Sequence, residues 1–286
     1  MDFRLPVSAT RFLIVHYHIF KNGGSTVASV LEREFRDSFA TVHGPEDVSV
    51  IDQSGLGQFI EGHRWVQAIS SHHLRYPKVV LPNTIIFDCC FLRHPLDRLQ
   101  SLYSYFQKIS ADDPLCRLAK QESARTFFKK LIESAPHLIS NVQVTMLALG
   151  GAFTRPVDTP DVEVAADIVG KMAIPGVVEK FDESLGAAEY FLKPAFPRLR
   201  LEYLPHNVSR PLGGSPTDRQ EWLKHSWGPD LYATLENLNR CDLDLWRRAE
   251  REVMRRLDLV PDSSRRLAEF RARCPKQPVY QRMHIA

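Results

Sequence analysis

A chain of 286 residues, 44% hydrophobic and 25% charged, can bury a large core and suits one α/β domain with a helical appendage. Its net charge of +3 is too small to indicate a nucleic-acid binder, which concentrates a basic stripe. The five cysteines contain no C-x-x-C pair, which argues against a zinc ribbon or a disulfide framework and for a reducing compartment.

Met1 to Pro6 lacks the cationic segment, apolar stretch and small-residue site of a secretory leader. No apolar run reaches the ~20 residues of a membrane helix, so a soluble, cytoplasmic chain is expected, with no membrane partner. Arg11 to Phe20 is rich in β-branched and aromatic residues and reads as a strand buried on both faces. Lys21-Asn22-Gly23-Gly24-Ser25-Thr26 follows at once. Val27, Val30, Leu31 and Phe35 then recur at helical spacing to about Asp37. Trp65 to Ser71 reads as a second strand running into His72-His73. Thr84 to Leu92 is a third and ends at Arg93-His94-Pro95, where the proline suits a helix's first turn. Cys89 and Cys90 lie inside that apolar run and read as buried small hydrophobes.

Residues 111–136 read as a surface helix with loops, Asn141 to Leu149 as a short helix, and Thr154 to Pro160 as a loop. Val162 to Met172 is amphipathic, Gly176 to Glu179 a short strand, and Phe181 to Leu192 a helix. Arg210 to Ser215 is a Pro/Gly loop, with Ser215 placed to cap a helix that opens at Pro216. Helical periodicity then continues to about Leu257, broken at Gly228-Pro229. A basic stretch follows Pro261, with Arg265, Arg266, Arg271, Arg273, Lys276 and Arg282. It reads as a solvated tail or as a patch that attracts an anionic acceptor.

Strands alternating with helices imply a mostly parallel sheet with right-handed crossovers, and ligands in such sheets bind at the carboxyl ends of the strands. Lys21, His72 and Arg93 each fall just after a strand, so three polar groups converge on one edge. A glycine turn that opens a helix aims backbone N–H groups and the positive end of the helix dipole at one spot, where phosphate binds readily. Gly23 and Gly24 admit a close backbone approach, Ser25 and Thr26 add hydroxyls, and Lys21 adds charge. The order differs from the G-x-x-x-x-G-K-[ST] nucleoside-triphosphate loop, since the lysine precedes the glycines. Arg93 at a strand end suits forked recognition of phosphate, and Ser101 follows about two turns into the next helix. The plainer alternatives are a surface lysine on an ordinary turn and an Arg93 paired with Asp97 or Asp88. His16 and His18 share one strand face and read as satisfied core or cleft residues rather than metal ligands, for want of a third ligand nearby.

His18-Ile19-Phe20-Lys21-Asn22-Gly23-Gly24-Ser25-Thr26 resembles the 5′-phosphosulfate loop of sulfotransferases that use 3′-phosphoadenosine 5′-phosphosulfate (PAPS). The nearest form is the H-I-P-K-T-G-G-T-S loop of the Golgi glycan 2-O- and 6-O-sulfotransferases and their bacterial relatives. Leu92-Arg93-His94-Pro95 with Arg98 and Ser101 is similar to that family's 3′-phosphate motif, L-R-[DN]-P-x-x-R-x-x-S. Looser likenesses follow in family order at Ile69 to His72, Asn141 to Leu147, Val178 to Leu185 and Cys241 to Trp246. Phe20, Asn22, Ser71 and His94 depart from the family pattern.

The resemblance implies a P-loop-like three-layer sandwich with a central, mostly parallel sheet and C-terminal helices. It is expected to occupy residues 1–260 as one domain, with 261–286 as a basic C-terminal tail. The implied activity is sulfuryl transfer from PAPS to a hydroxyl, on a glycan or other small molecule, releasing PAP without a metal. Lys21 would stabilise the leaving phosphate, and Asn22, Gly23, Gly24, Ser25 and Thr26 would cradle the 5′-phosphate. Arg93 and Ser101 would hold the 3′-phosphate. His72 would be the general base, with His73 or an acidic residue as alternatives; a histidine pKa near 6.5 suits that work. His206 and Asn207 are candidates to reach the site. A nucleotide-dependent kinase and a non-catalytic nucleotide-binding relative are the other readings. Nothing in the residues selects the acceptor or the oligomeric state.

Overall fold

The structure, a computed structural model, describes residues 10–46, 49–204 and 216–274. At its centre lies β1 (Arg11–Tyr17), whose last five residues are buried. The run of apolar side chains is what a strand covered on both faces requires. It is flanked by β3 (Ala68–Ser71) and β4 (Thr84–Leu92), with β2 (Phe39–Thr41) and β5 (Ile174–Val177) outside them. The order is β2-β3-β1-β4-β5, and every neighbouring pair is parallel. The expected α/β sandwich with a parallel sheet is therefore the observed architecture.

Side chains alternate across the sheet and build two cores. Leu13, Val15, Ile69, Cys90, Leu92 and Val177 face a layer that includes α2 (Gln53–Gly62), α6 (Val142–Ala148), α7 (Thr159–Lys171) and α11 (Arg240–Asp258). Ile14, Ala68, Cys89, Phe91 and Ile174 face α1 (Gly24–Phe35), α8 (Phe181–Leu192) and α12 (Ser263–Arg273). Both cysteines of the Cys89-Cys90 pair are buried, one on each face.

A third core lies beyond the sheet. It joins α3 (Pro95–Lys108), α4 (Pro114–Gln121), α5 (Ala124–Ser134), α9 (Pro216–Trp227) and α10 (Pro229–Leu238). Residues 111–136, expected as a surface helix with loops, are two helices capped by Asp113 and Ser123. Their Phe127, Phe128 and Leu131 are fully buried against Trp227 and Leu235. The expected C-terminal helix also has a second break, at Asn239. Its amide donates to Ile139 O and Leu235 O, at 2.8 and 2.9 Å. β2 and α2 had no counterpart in the sequence reading.

The basic stretch after Pro261 is a helix as far as Arg273. Phe270 is 2% exposed and packs into the second core. Arg271 pairs with Asp182 and Glu183 at 2.9 Å each, Arg273 with Glu189 at 2.8 Å, and Arg265 with Asp262 and Glu269. These three guanidinium groups pair with carboxylates of the chain, while Arg266 donates to Pro261 O. Lys276 and Arg282 lie outside the described residues, as do Arg210 to Ser215, His206 and Asn207. Among the described residues, no helix is long and apolar enough to cross a membrane.

Candidate anion site at the carboxyl edge of the sheet

Between Tyr17 and α1 the chain turns through His18 to Gly23. Lys21 and Gly23 adopt left-handed backbone angles, φ 68° and 73°. Glycine tolerates that region freely, whereas at Lys21 it costs about 1–3 kcal/mol. The N-cap of α1 is Gly23, which has no side chain to satisfy the first N–H groups. The helix therefore presents its positive end at the edge of the sheet. Ser25 is exposed at that end and Thr26 is buried in the first turn.

Asn22, expected to line the cradle, turns its side chain inward and is 1% exposed. Its amide donates to Phe91 O at 2.9 Å and to Gln143 Oε1 at 2.8 Å. Gln143 also accepts from Arg93 N and donates to Arg93 O, both at 2.9 Å. Asp242 anchors this glutamine's helix by accepting from Gln143 N and Val144 N. Asn22 thus ties the turn to the end of β4, while Gly23 and Gly24 are left to shape the anion-facing backbone.

Arg93 follows β4 directly and is half-buried. One guanidinium nitrogen donates to Lys21 O at 3.2 Å, and its Nε is buried without a partner. The plainer alternative for this arginine does not hold. Asp88 is engaged by Tyr76, Lys78 and Ala173 N, at 3.0 Å each, and Asp97 by Arg219 at 3.1 Å. Burial disfavours the Arg93 charge, and Glu179 and Asp97 lie near enough to oppose that, but neither is in ion-pair contact with it, and the two Glu179 oxygens accept from His94 N and Trp246 Nε1. Ser101 is buried on α3, downstream of Arg93. Arg98, on the same helix, is buried and donates to Phe20 O at 3.2 Å.

The Lys21 ammonium has no carboxylate partner among the described residues. It lies 4.4 Å from the centre of the Tyr105 ring and 5.4 Å from that of Phe20. Burial, then Arg93, Lys108 and Arg98, lower its pKa from 10.5 to about 8. A lysine destabilised by surrounding cations is a lysine that gains from an anion. Burial, and to a smaller extent Arg93, likewise disfavour the charge on Arg98 and lower its pKa to about 10, although Asp242 opposes the shift.

On the far side of Phe20 sits His72. Its Nδ1 faces His18 O at 3.2 Å, so Nδ1 carries the proton and Nε2 keeps a lone pair. Burial lowers its pKa below 6.5, only partly offset by the bond to His18 O. The ring is therefore neutral at pH 7. Phe20 stands edge-on to both His72, at 5.9 Å, and Tyr105, at 5.0 Å. His73, the rival base, is buried and faces elsewhere. Its Nδ1 accepts from Gly44 N at 2.8 Å, and its ring meets His43. His16 is a core residue bonded to Ser70 Oγ at 2.9 Å, and burial lowers its pKa to about 3. No group of three His, Cys, Asp or Glu residues suited to a metal ion occurs among the described residues.

The structure thus brings Lys21, the start of α1, Arg93 and His72 to one edge, with Ser101 buried on the adjoining helix. Gln143 and Tyr105 belong to the same assembly and were not singled out as site residues from the sequence. The likeness at Asn141 to Leu147 was the only signal for Gln143. For Tyr105 the sequence carried no signal, because nothing in its type or position along α3 marks a ring that meets Lys21. A cavity of about 940 Å³ opens at the opposite edge, beside Arg11, Phe12, Gln67 and Thr84 at the amino ends of the strands. Its described lining contains none of these site residues.

No family model matches this chain. A curated protein of Archaeoglobus fulgidus, described as an uncharacterized protein, is 27% identical over 248 residues, covering 82% of this chain and 95% of its own length. The correspondence spans nearly the whole of that protein, and its description carries no activity.

Proposed function

We propose that this chain transfers a sulfuryl group from PAPS to a hydroxyl of a carbohydrate-like acceptor. The observation that carries the reading is the cation cluster itself. Lys21 and Arg93 are joined through the Lys21 carbonyl at 3.2 Å, neither forms an ion pair among the described residues, and a buried guanidinium N–H of Arg93 is unanswered. An unanswered buried donor is costly, and a phosphate oxygen answers it. On this reading the α1 turn would take the 5′-phosphosulfate of PAPS, and Arg93 with Ser101 its 3′-phosphate.

In this reaction His72 Nε2 takes the proton of the acceptor hydroxyl while the oxygen bonds to sulfur. The sulfur–oxygen bond to the 5′-phosphate breaks, and Lys21 and the N-terminus of α1 would stabilise the negative charge left on the departing phosphate oxygen. The protein's work is in-line positioning and neutralisation of negative oxygens. The Tyr105–Phe20 corner keeps water from the ammonium and so strengthens its interaction with the leaving phosphate.

Calorimetry with PAP and with ADP, on wild type and Arg93→Ala, tests the assignment. PAP is expected to bind more tightly than ADP, because only PAP carries a 3′-phosphate. Arg93→Ala should weaken PAP by about 1.5–3 kcal/mol, roughly ten- to hundred-fold, and leave ADP nearly unchanged. Equal affinities, or no binding, would overturn the PAPS reading in favour of a kinase or a non-catalytic relative.

A further inference from the structure

His18 has no part in the chemistry above, yet it contacts both halves of the site. Its ring lies against His72 with centroids 3.6 Å apart, and its carbonyl accepts from His72 Nδ1 at 3.2 Å. Its backbone N donates to Ser71 O at 3.0 Å, so the residue grips the strand end from which His72 projects. The other face of the ring stacks on His16 at 5.2 Å, and His16 is itself fixed by Ser70. The ring also fills the space over Gly24, where an added Cβ would come within 1.8–2.4 Å of His18 ring atoms. The first residue of α1 is glycine because an imidazole occupies that space.

We propose that His18 is a positioning residue that couples the anion-binding turn to the base: its main-chain carbonyl accepts from His72 Nδ1, its ring packs on the His72 imidazole and holds it at that carbonyl, and the fit of the ring on Gly24 makes the pose depend on the geometry of the turn. The inference rests on His72 being the base. When His72 gains the acceptor proton, the new imidazolium lies against a neutral ring face. Burial, and then His16, His72 and Lys21, keep His18 uncharged.

The test reads the His72 tautomer directly, from the ¹⁵N shifts of its ring by NMR, in wild type, His18→Ala, His18→Phe, Gly24→Ala and the double variant Gly24→Ala/His18→Ala. Wild type is expected in the Nδ1–H form. His18→Ala keeps the carbonyl but removes the ring that holds the imidazole against it, so it should weaken that preference, and His18→Phe, which keeps a flat ring, should retain it. Gly24→Ala should lose it by displacing His18, and should have no further effect once His18 is alanine, the non-additivity expected of coupled neighbours. An Nε2–H form in wild type, or a tautomer unmoved by His18→Ala, overturns the proposal. If Gly24→Ala does not fold, the His18→Ala and His18→Phe pair decides. PAP titration of the same samples separates the two readings: intact tautomer effects without PAP binding would sink the sulfuryl-transfer assignment and leave the coupling standing.

Discussion

For the proposed sulfuryl transfer, the lowered pKa of Lys21 and that of His72 together define a working pH window. His72 acts as a base only when neutral, and burial places its pKa below 6.5. Lys21 stabilises negative charge only when protonated, and its pKa is about 8. The profile of kcat/KM, which reports the free enzyme, should therefore rise at a limb below pH 6.5 and fall near pH 8. A bound nucleotide adds negative charge beside Lys21 and favours its ammonium form, so the falling limb of kcat should lie at higher pH. Coincident falling limbs would show that Lys21 does not meet the nucleotide. His72→Ala should reduce turnover about 10²–10⁴-fold and leave PAP affinity within a few-fold. Tyr105→Leu removes the ring under the ammonium and should weaken PAP less than Arg93→Ala does.

At the scale of elements, Gln143 is the residue that joins three of them. Through it the turn after β1, the end of β4 and the start of α6 share one hydrogen-bond network, and Asp242 ties that network to α11. Gln143→Leu strands the Arg93 backbone N–H and C=O and leaves the Asn22 amide only Phe91 O. At about 1–3 kcal/mol for a buried polar group left unmet, urea denaturation should show a loss of roughly 3 kcal/mol. PAP affinity should fall with it, because the network sets the backbone from which Arg93 projects. Full PAP affinity in a folded Gln143→Leu protein would separate the network from the site. The elements were legible where periodicity and punctuation agreed, as for β4, whose observed limits match Thr84 to Leu92, and α8, which matches Phe181 to Leu192. The break at Asn239 was not, because neither glycine nor proline marks it. A buried amide bonded across to Ile139 O, 100 positions away in sequence, ends one helix and admits the next.

For the whole molecule, buried neutral imidazoles make stability depend on acid. His16 and His94 are lowered to about 3 and about 4, both chiefly by burial, and His18 is lowered as well. The unfolded chain takes up protons below 6.5 that these folded histidines refuse. Their stabilising contribution is complete above pH 6.5 and falls as pH drops from there toward the folded values, by about 1.4 kcal/mol per pH unit for each group. His16→Gln, which can still bond Ser70, should make that decline shallower when stability is measured from pH 7 to 5. Phe270→Ala should cost about 3–5 kcal/mol, because α12 closes the second core and is not a loose tail. Arg265→Ala, which opens two exposed ion pairs, should leave stability nearly unchanged.

The residues by themselves determined the parallel α/β class and the convergence of Lys21, His72 and Arg93 on one edge. Both follow from local rules: strand and helix periods, and the placement of polar residues just past strand ends. The folded chain decided what those rules leave open. It separated His72 from His73 by directing one to His18 O and the other to Gly44 N. It drew Asn22 inward to Gln143, left the Arg93 Nε without a partner, and paired Arg271 and Arg273 with carboxylates on α8. Each of these depends on contacts between residues far apart in sequence, and so on which buried donors and acceptors the packed core brings together.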